Sequence, residues 1–284
     1  MNRAELKARA KGQIKGSILI LFVMYLIASV ISAVVELIPF IPFWGTLMSL
    51  NTIDPEYALA IPQLTEVFAA LAIPLAIALV VGLIVTSAFT FGFSKIFLNL
   101  SNGQKPVIGD LFASFRNVKV WLKAVQLYIS RAVFVLLWAA IGVAPGLVFV
   151  MAGGGGNRDF IIGTIFLIGG VIIGIVKMIS YSQAFFVLAE NPHISAKKAL
   201  AESKDIMDGR TLEFIKLDLS FILWGLLVVV TAGIAAIWVA PYIYTTLANY
   251  YNSIKVGAVD ADRKLTVEEK AMIRAEKKKD KRYA

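Results

Sequence analysis

The stretch RAVFVLLWAAIGVAPGLVFVMAGGGGNRDFIIGTIFLIGGVIIGIVK, residues 131–177, decides the fold. Two apolar runs, Ala132 to Ala152 and Phe160 to Val176, are joined by Gly153 to Gly156 and are closed at their far ends by one cation each, Arg131 and Lys177. Each run approaches the ~20 residues that cross a hydrocarbon layer of ~30 Å at ~1.5 Å per residue. The stretch therefore reads as a helical hairpin that enters and leaves a bilayer on the same side. The glycine run is too flexible to preorganise a site and reads as a linker.

Working outward, four further apolar segments appear at Gly16 to Ile38, Val67 to Phe93, Leu217 to Val230 and Ile234 to Leu247. The last two are short and could be one reversing hairpin. The chain reads as an all-α polytopic membrane protein with about six transmembrane helices in three hairpins. Its organisation is a basic segment over residues 1–15, a transmembrane domain over 16–254 and a charged tail over 255–284.

Charge orients it. Five Lys or Arg precede residue 16, five lie between Lys95 and Lys123, five between Lys197 and Lys216, and ten from Lys255 onward. These are alternate connections, as the positive-inside rule requires of cytoplasmic loops. The opposite connections hold Arg158, while the first outer loop carries Glu36, Asp54, Glu56 and Glu66. Both termini are thus expected in the cytoplasm. An uncleaved first helix is expected rather than a signal peptide, because the run continues apolar through Val34 and Val35.

Composition supports the bilayer: 58% of the 284 residues are apolar, against roughly 45 to 50% in soluble domains. The net charge of +9 points to the anionic inner leaflet, at ~1 kcal/mol per surface cation, rather than to nucleic acid. The absence of cysteine excludes disulfides, thiol catalysis and thiolate metal sites.

Short amphipathic helices are expected at the inner face. Arg3, Lys7, Lys11 and Lys15 run beside Leu6, Ala10 and Ile14 at four-residue spacing, which suits either a helix lying on the leaflet or a basic tail that only orients the chain. Pro106-Val107-Ile108-Gly109 opens a second, with Ile108, Leu111, Phe112, Phe115 and Val118 on one face. Pro192-His193-Ile194-Ser195 opens a third, capped by Ser195, faced by Ala199, Leu200, Ser203, Ile206 and Met207, and ended by Gly209. The shared pattern suggests an internal repeat. On the outer side, Pro39 to Glu66 reads as a loop with one short helix and an aromatic belt of Phe40, Phe43 and Trp44. In the tail, Thr266 and Glu269 form a capping box.

No enzyme constellation is visible. The single histidine, His193, stands alone, and there is no phosphate-binding glycine loop, nucleophile elbow or pair of intramembrane carboxylates. No cofactor is implied. A layer of ionisable residues does stand out: Arg131, Lys177 and Asp218, with Lys95 and Lys216 nearby. These either snorkel to the interface or line an inward-facing polar vestibule with Tyr181, Ser182 and Gln183. In the second case a Lys177–Asp218 or Arg131–Asp218 pair would lock helices or bind a substrate, and Asp218→Ala would lower thermal stability more than Lys216→Ala. Gly142, Gly146, Gly170 and Gly174 have close-approach spacing, for packing within the bundle or for self-association. Trp138, Trp224 and Trp238 suit lipid contact or packing.

The stretch Lys177-Met178-Ile179-Ser180-Tyr181-Ser182-Gln183-Ala184-Phe185-Phe186 through Glu190-Asn191-Pro192, with Ile194-Ser195-Ala196 and Glu202-Ser203, resembles the signature of a bacterial multi-pass integral membrane family, domain of unknown function 975 (DUF 975). Met1 to Lys7, Phe97 to Phe112 and Trp238 to Ala248 extend the resemblance over most of residues 1–252. It implies a bacterial plasma membrane and supplies no reaction. The four-glycine loop, the long first outer loop and the charged tail depart from the family pattern. Two roles follow. The first is a non-enzymatic structural or accessory subunit that docks a membrane or cytoplasmic protein partner on its cytoplasmic helices. The second is a transporter or channel-like carrier using the charged vestibule. Homo-oligomerisation is compatible with either.

Overall fold

The computed structural model describes residues 2–45, 61–152 and 156–256. The elements are α1 (Arg3–Ile14), α2 (Ile18–Leu37) running into a 3-10 turn (Ile38–Phe43), α3 (Ile61–Ser101), α4 (Ile108–Leu111), α5 (Val118–Ala152), α6 (Asn157–Ser180), α7 (Ala184–Glu190), α8 (Ala196–Met207), α9 (Thr211–Leu219), α10 (Ile222–Val230) and α11 (236–256). Every regular element among the described residues is helical. The expected helix between Pro39 and Glu66 falls largely outside the described residues, as do most of the glycine linker and the capping box in the tail.

Four segments are long and apolar enough to cross a bilayer: Ile18–Pro42, Leu71–Ser101, Val118–Met151 and Asn157–Glu190. Six such segments are not confirmed among the described residues. The segments expected as fifth and sixth, short enough in sequence to read as one reversing hairpin, begin with α10, which has nine residues and rises only ~14 Å. Between 11% and 33% of each long segment's apolar window is buried, so protein packing leaves most of that surface for lipid. The segments from Leu71 and Val118 have 31 and 34 residues, roughly 45 to 50 Å, and so extend ~15 Å or more beyond the ~30 Å hydrocarbon layer. The extensions lie at the basic end, where Lys95, Lys119 and Lys123 sit.

That end holds the core. Phe91, Phe97, Leu111, Leu127, Leu188, Met207, Tyr250 and Tyr251 are fully buried there. The two connections share a device: Ser114 Oγ donates to the Ala88 carbonyl at 3.1 Å, and Ser203 Oγ to the Ser180 carbonyl at 2.9 Å. Leu111 and Leu200, each three residues before its serine, are both buried. Gly92 lets the first connection lie flat, because a Cβ there would run into the Leu111 carbonyl. Ser195 caps α8 by accepting from Lys198 N at 3.2 Å.

The first and third amphipathic helices do not present their apolar faces outward. Leu6, Ala10 and Ile14 of α1 are buried in the protein core, as are Ala199, Leu200, Ser203 and Met207 of α8. The second expected helix is only four residues long, and Ile108, Phe115 and Val118 are exposed. Helix α1 closes the structure on itself. Arg3 Nη1 donates to the Lys216 carbonyl at 3.1 Å and Lys7 Nζ to the Ser220 carbonyl at 2.9 Å, two cations at the C-terminal end of α9 where the helix dipole favours them. Gln13 bridges the Ser101 carbonyl of α3 and Asn249 of α11, both at 2.7 Å. Tyr251 donates to Glu190 at 2.6 Å, and Lys255 pairs with the same carboxylate. Burial, then this hydrogen bond, raises the Tyr251 phenol well above its usual range, while burial and then Glu213 push Tyr250 up to about 12.

Candidate functional site: a cleft at the basic boundary of the bundle

Helix α6 stops at Ser180, where Tyr181 N donates to the Lys177 carbonyl at 3.1 Å and Ser182 N to the Ile179 carbonyl at 3.0 Å. The tight turn redirects the chain into α7, which buries all of Ala184 to Ala189. Beside that turn is a cleft of about 480 Å³ that draws walls from six elements. Its polar groups are Arg131 from α5, Asp218 from α9, Ser182 from the turn, Tyr244 from α11, and Thr90 and Ser94 from α3. Met178, Ile179, Phe185, Phe186, Phe214 and Leu219 make much of the apolar wall.

Each polar group has a defined setting. The Thr90 and Ser94 hydroxyls donate to the carbonyls four residues earlier, both at 2.7 Å, which leaves their lone pairs as acceptors. Arg131 is half-buried, and among the described residues no carboxylate stands within ion-pair distance of it and no cation pairs with Asp218. Asp218 is exposed at the cleft wall, and partial desolvation there raises its carboxyl above the ordinary value. Arg131 lies about 20 residues from Met151, which puts it at the basic boundary of the hydrocarbon.

The cleft gathers only some of the vestibule residues read from sequence. Arg131, Asp218 and Ser182 come together. Lys177 leaves the group, with its Nζ 4.1 Å from the centroid of the Trp138 ring. Tyr181 is buried against Phe134, ring centroids 6.2 Å apart. Gln183 is buried, its N–H on Ser203 Oγ at 3.2 Å and its Nε2 on Ser182 Oγ at 2.8 Å. Lys95 pairs with Asp110 at 2.9 Å, outside the cleft. The four glycines lie on the α5–α6 seam, where a Cβ at Gly142 would stand 2.5 Å from Gly170 N and one at Gly170 2.6 Å from Val143 N. Gly146 and Gly163 meet in the same way, and Gly174 faces Ala139.

The pairings expected to lock helices are not formed among the described residues, and this reverses the expected effect of Asp218→Ala. Folding disfavours the ionised carboxyl, since its pKa is raised in the folded protein. Above the ordinary carboxylate pKa the group therefore adds no stability. Asp218→Ala should leave the melting temperature in detergent at neutral pH unchanged or slightly raised. A clear fall would show a partner for Asp218 in the folded state.

The cleft can hold one fixed positive charge, hydroxyl acceptors and one carboxylate in an apolar surround. A guanidinium in such a place suits a phosphate or carboxylate, which it can meet with two parallel hydrogen bonds.

The family model described as protein of unknown function (DUF975) matches residues 1–257. The chain belongs to this family. The match spans every long helix and every cleft residue of this DUF975 protein and leaves out nearly all of the charged tail. No curated protein and no solved structure matches the chain.

Sequence reasoning missed Thr90, Ser94 and Tyr244 in this DUF975 site. A signal was present: Thr86, Thr90 and Ser94 recur every four residues on an apolar helix and so share one face. Tyr244 carried none, since aromatic residues are ordinary on a packed helix.

Proposed function

We propose that this DUF975 protein is a non-enzymatic protein of the bacterial plasma membrane whose cleft holds the anionic headgroup of a membrane amphiphile at the level of the inner leaflet, in a carrier role. Both termini lie in the cytoplasm, as the distribution of Lys and Arg supports. The observation that carries the reading is Arg131, a half-buried cation in an apolar-walled cleft with no carboxylate at ion-pair distance among the described residues. A cation kept at the edge of hydrocarbon is costly, and a bound anion offsets that cost. The apolar wall receives the acyl chains. Partner docking takes second place, because the face expected to dock, on α8, is buried within its own chain.

The topology that goes with this reading is four full crossings and one hairpin, α10 with the start of α11, that enters from the cytoplasmic side and turns within the bilayer. Seven large apolar residues of α10, from Ile222 to Val230, are exposed. The turn satisfies its own backbone. Thr231 N and Gly233 N donate to the Leu227 and Val228 carbonyls at 3.0 and 2.8 Å, and Ala235 N donates to Thr231 Oγ1 at 3.0 Å. Such closure is what non-helical backbone needs at that depth.

The test is purification from the native membrane in gentle detergent, with mass spectrometry of the intact protein and of everything retained. The wild type should keep a phosphate-bearing lipid. Arg131→Gln should retain it about tenfold less, the equivalent of ~1.4 kcal/mol. Equal retention by the two proteins, or retention of lipids without anionic groups, would remove the cleft reading, and a stoichiometric protein chain would favour docking.

A further inference from the structure

The cleft does not end at Ser94. Across Thr90, Ser94, Phe186 and Tyr244 it adjoins a chamber of about 100 Å³ that is also lined by Tyr25, Phe93 and Phe97. Across Tyr25, Thr90 and Phe93 that chamber adjoins a groove of about 270 Å³ between α2 and α3, with Ser29, Ser32 and Thr86 in its wall. Thr86 is shared in turn with a larger groove of about 740 Å³ that holds Tyr128 and Gly82 and reaches Glu36 and Phe40 at the end of α2. The four spaces step along one stripe of α3, Gly82, Thr86, Thr90 and Ser94, at intervals of one helical turn. Leu26, Val30, Val34, Leu79 and Val80 on the same two helices are exposed, so lipid borders the seam.

The narrow chamber is closed by aromatic rings. Tyr25 stacks on Phe93 with centroids 4.4 Å apart, Phe93 on Phe97 at 6.2 Å, and Phe97 on Tyr244 at 5.4 Å. A second observation, independent of the hydroxyl stripe, points to a polar visitor: the Tyr25 hydroxyl is buried and has no hydrogen-bond partner among the described residues. A buried hydroxyl left unmade is unfavourable, and polar atoms entering the chamber would relieve it.

We propose that the α2–α3 seam is a lateral path for the headgroup of a membrane amphiphile between the two leaflets, held shut in this structure by the Tyr25–Phe93–Phe97–Tyr244 stack. The headgroup moves past Ser32, Ser29, Thr86 and Thr90 while its chains stay in the bilayer. The hydroxyls replace part of its hydration without trapping it as fixed charges would. The proposal rests on the cleft reading at the inner end alone, where Arg131 receives the phosphate.

The full chain is reconstituted into vesicles of phosphatidylethanolamine and phosphatidylglycerol with a trace of phosphatidylglycerol labelled on its acyl chain with a dithionite-sensitive fluorophore. Dithionite added outside bleaches the outer-leaflet share, and further bleaching reports movement between leaflets. Phe93→Ala should speed that slow phase at least about tenfold over the wild type, and adding Thr86→Val and Thr90→Val to it should reverse most of the gain. Where Phe93→Ala melts well below the wild type, Phe93→Leu, which keeps bulk and loses the stack, carries the same expectation. A slow phase no faster than in the wild type overturns the proposal. So does fast bleaching accompanied by release of entrapped carboxyfluorescein, which would mean an aqueous pore. Movement in the wild type with no lipid retained at its cleft would leave the path standing and remove the cleft reading. Lipid retained through Arg131 with no movement would do the reverse.

Discussion

Gly170→Leu should unmake the α5–α6 hairpin, while Gly169→Leu, one residue away, should leave the protein as stable as before. A Cβ at Gly170 would stand 2.6 Å from Val143 N, 2.7 Å from the Ala139 carbonyl and 2.9 Å from Gly142 C. All three are backbone atoms of a neighbouring helix and have no rotamer to retreat into. Overpacking ordinarily costs about 1–3 kcal/mol when side chains can shift, and here α5 and α6 must move apart along the seam that also holds Gly146 and Gly163. A loss of ~3 kcal/mol or more corresponds to a fall of roughly 10 °C in melting temperature for a chain of this size. At Gly169 nothing lies within 4 Å of the added Cβ, and replacing glycine within a helix gains up to ~1 kcal/mol of propensity. Melting in detergent, followed by size-exclusion chromatography, compares the two directly. Equal melting temperatures would mean that α5 and α6 do not meet at Gly170.

The second large effect is all-or-none labelling. Val230→Cys, at the tip of the α10 hairpin, should react with a membrane-impermeant maleimide from neither side of a sealed membrane, and Leu212→Cys, in α9, from the cytoplasmic side alone. Both residues are strongly exposed in the protein, at 75% and 70%, so only lipid can shield them. The natural chain has no cysteine, which leaves no background. A hairpin that crossed the whole bilayer would present Val230→Cys to the outside. The physical basis is length: a nine-residue helix covers about half of the ~30 Å layer. Labelling from the outside would restore six crossings.

Much of the chain was legible without coordinates. The hairpin of residues 131–177, the apolar stripes of α1 and α8, the Ser195 cap and the turn at Gly209 are near-neighbour properties. They follow from the 3.6-residue helical period, from capping hydrogen bonds and from the thickness of hydrocarbon, all of which act on residues close in the chain. Lys and Arg counts set the expected orientation for the same reason, connection by connection.

The cleft needed the fold. Periodicity assigns Leu6, Ala10 and Ile14 to one face but does not name what covers it, and the covering surface is the chain's own core rather than the leaflet. Arg131 and Lys177 look equivalent in sequence, each at the edge of an apolar run. Rotation of α5 and α6 about their glycine seam sends the first into the cleft and the second onto Trp138. Thr90 and Ser94 become polar walls only because α5, α9 and α11 arrive beside α3. The sequence by itself determined which segments are helical and which can enter a membrane. Only the tertiary structure decided that 217–247 turns back after nine residues, through left-handed backbone at Ala232 and Gly233 (φ 49° and 91°), and which charges share a space. Helix rotation and helix neighbours are set by packing between residues distant in the chain, and a periodic pattern leaves them open.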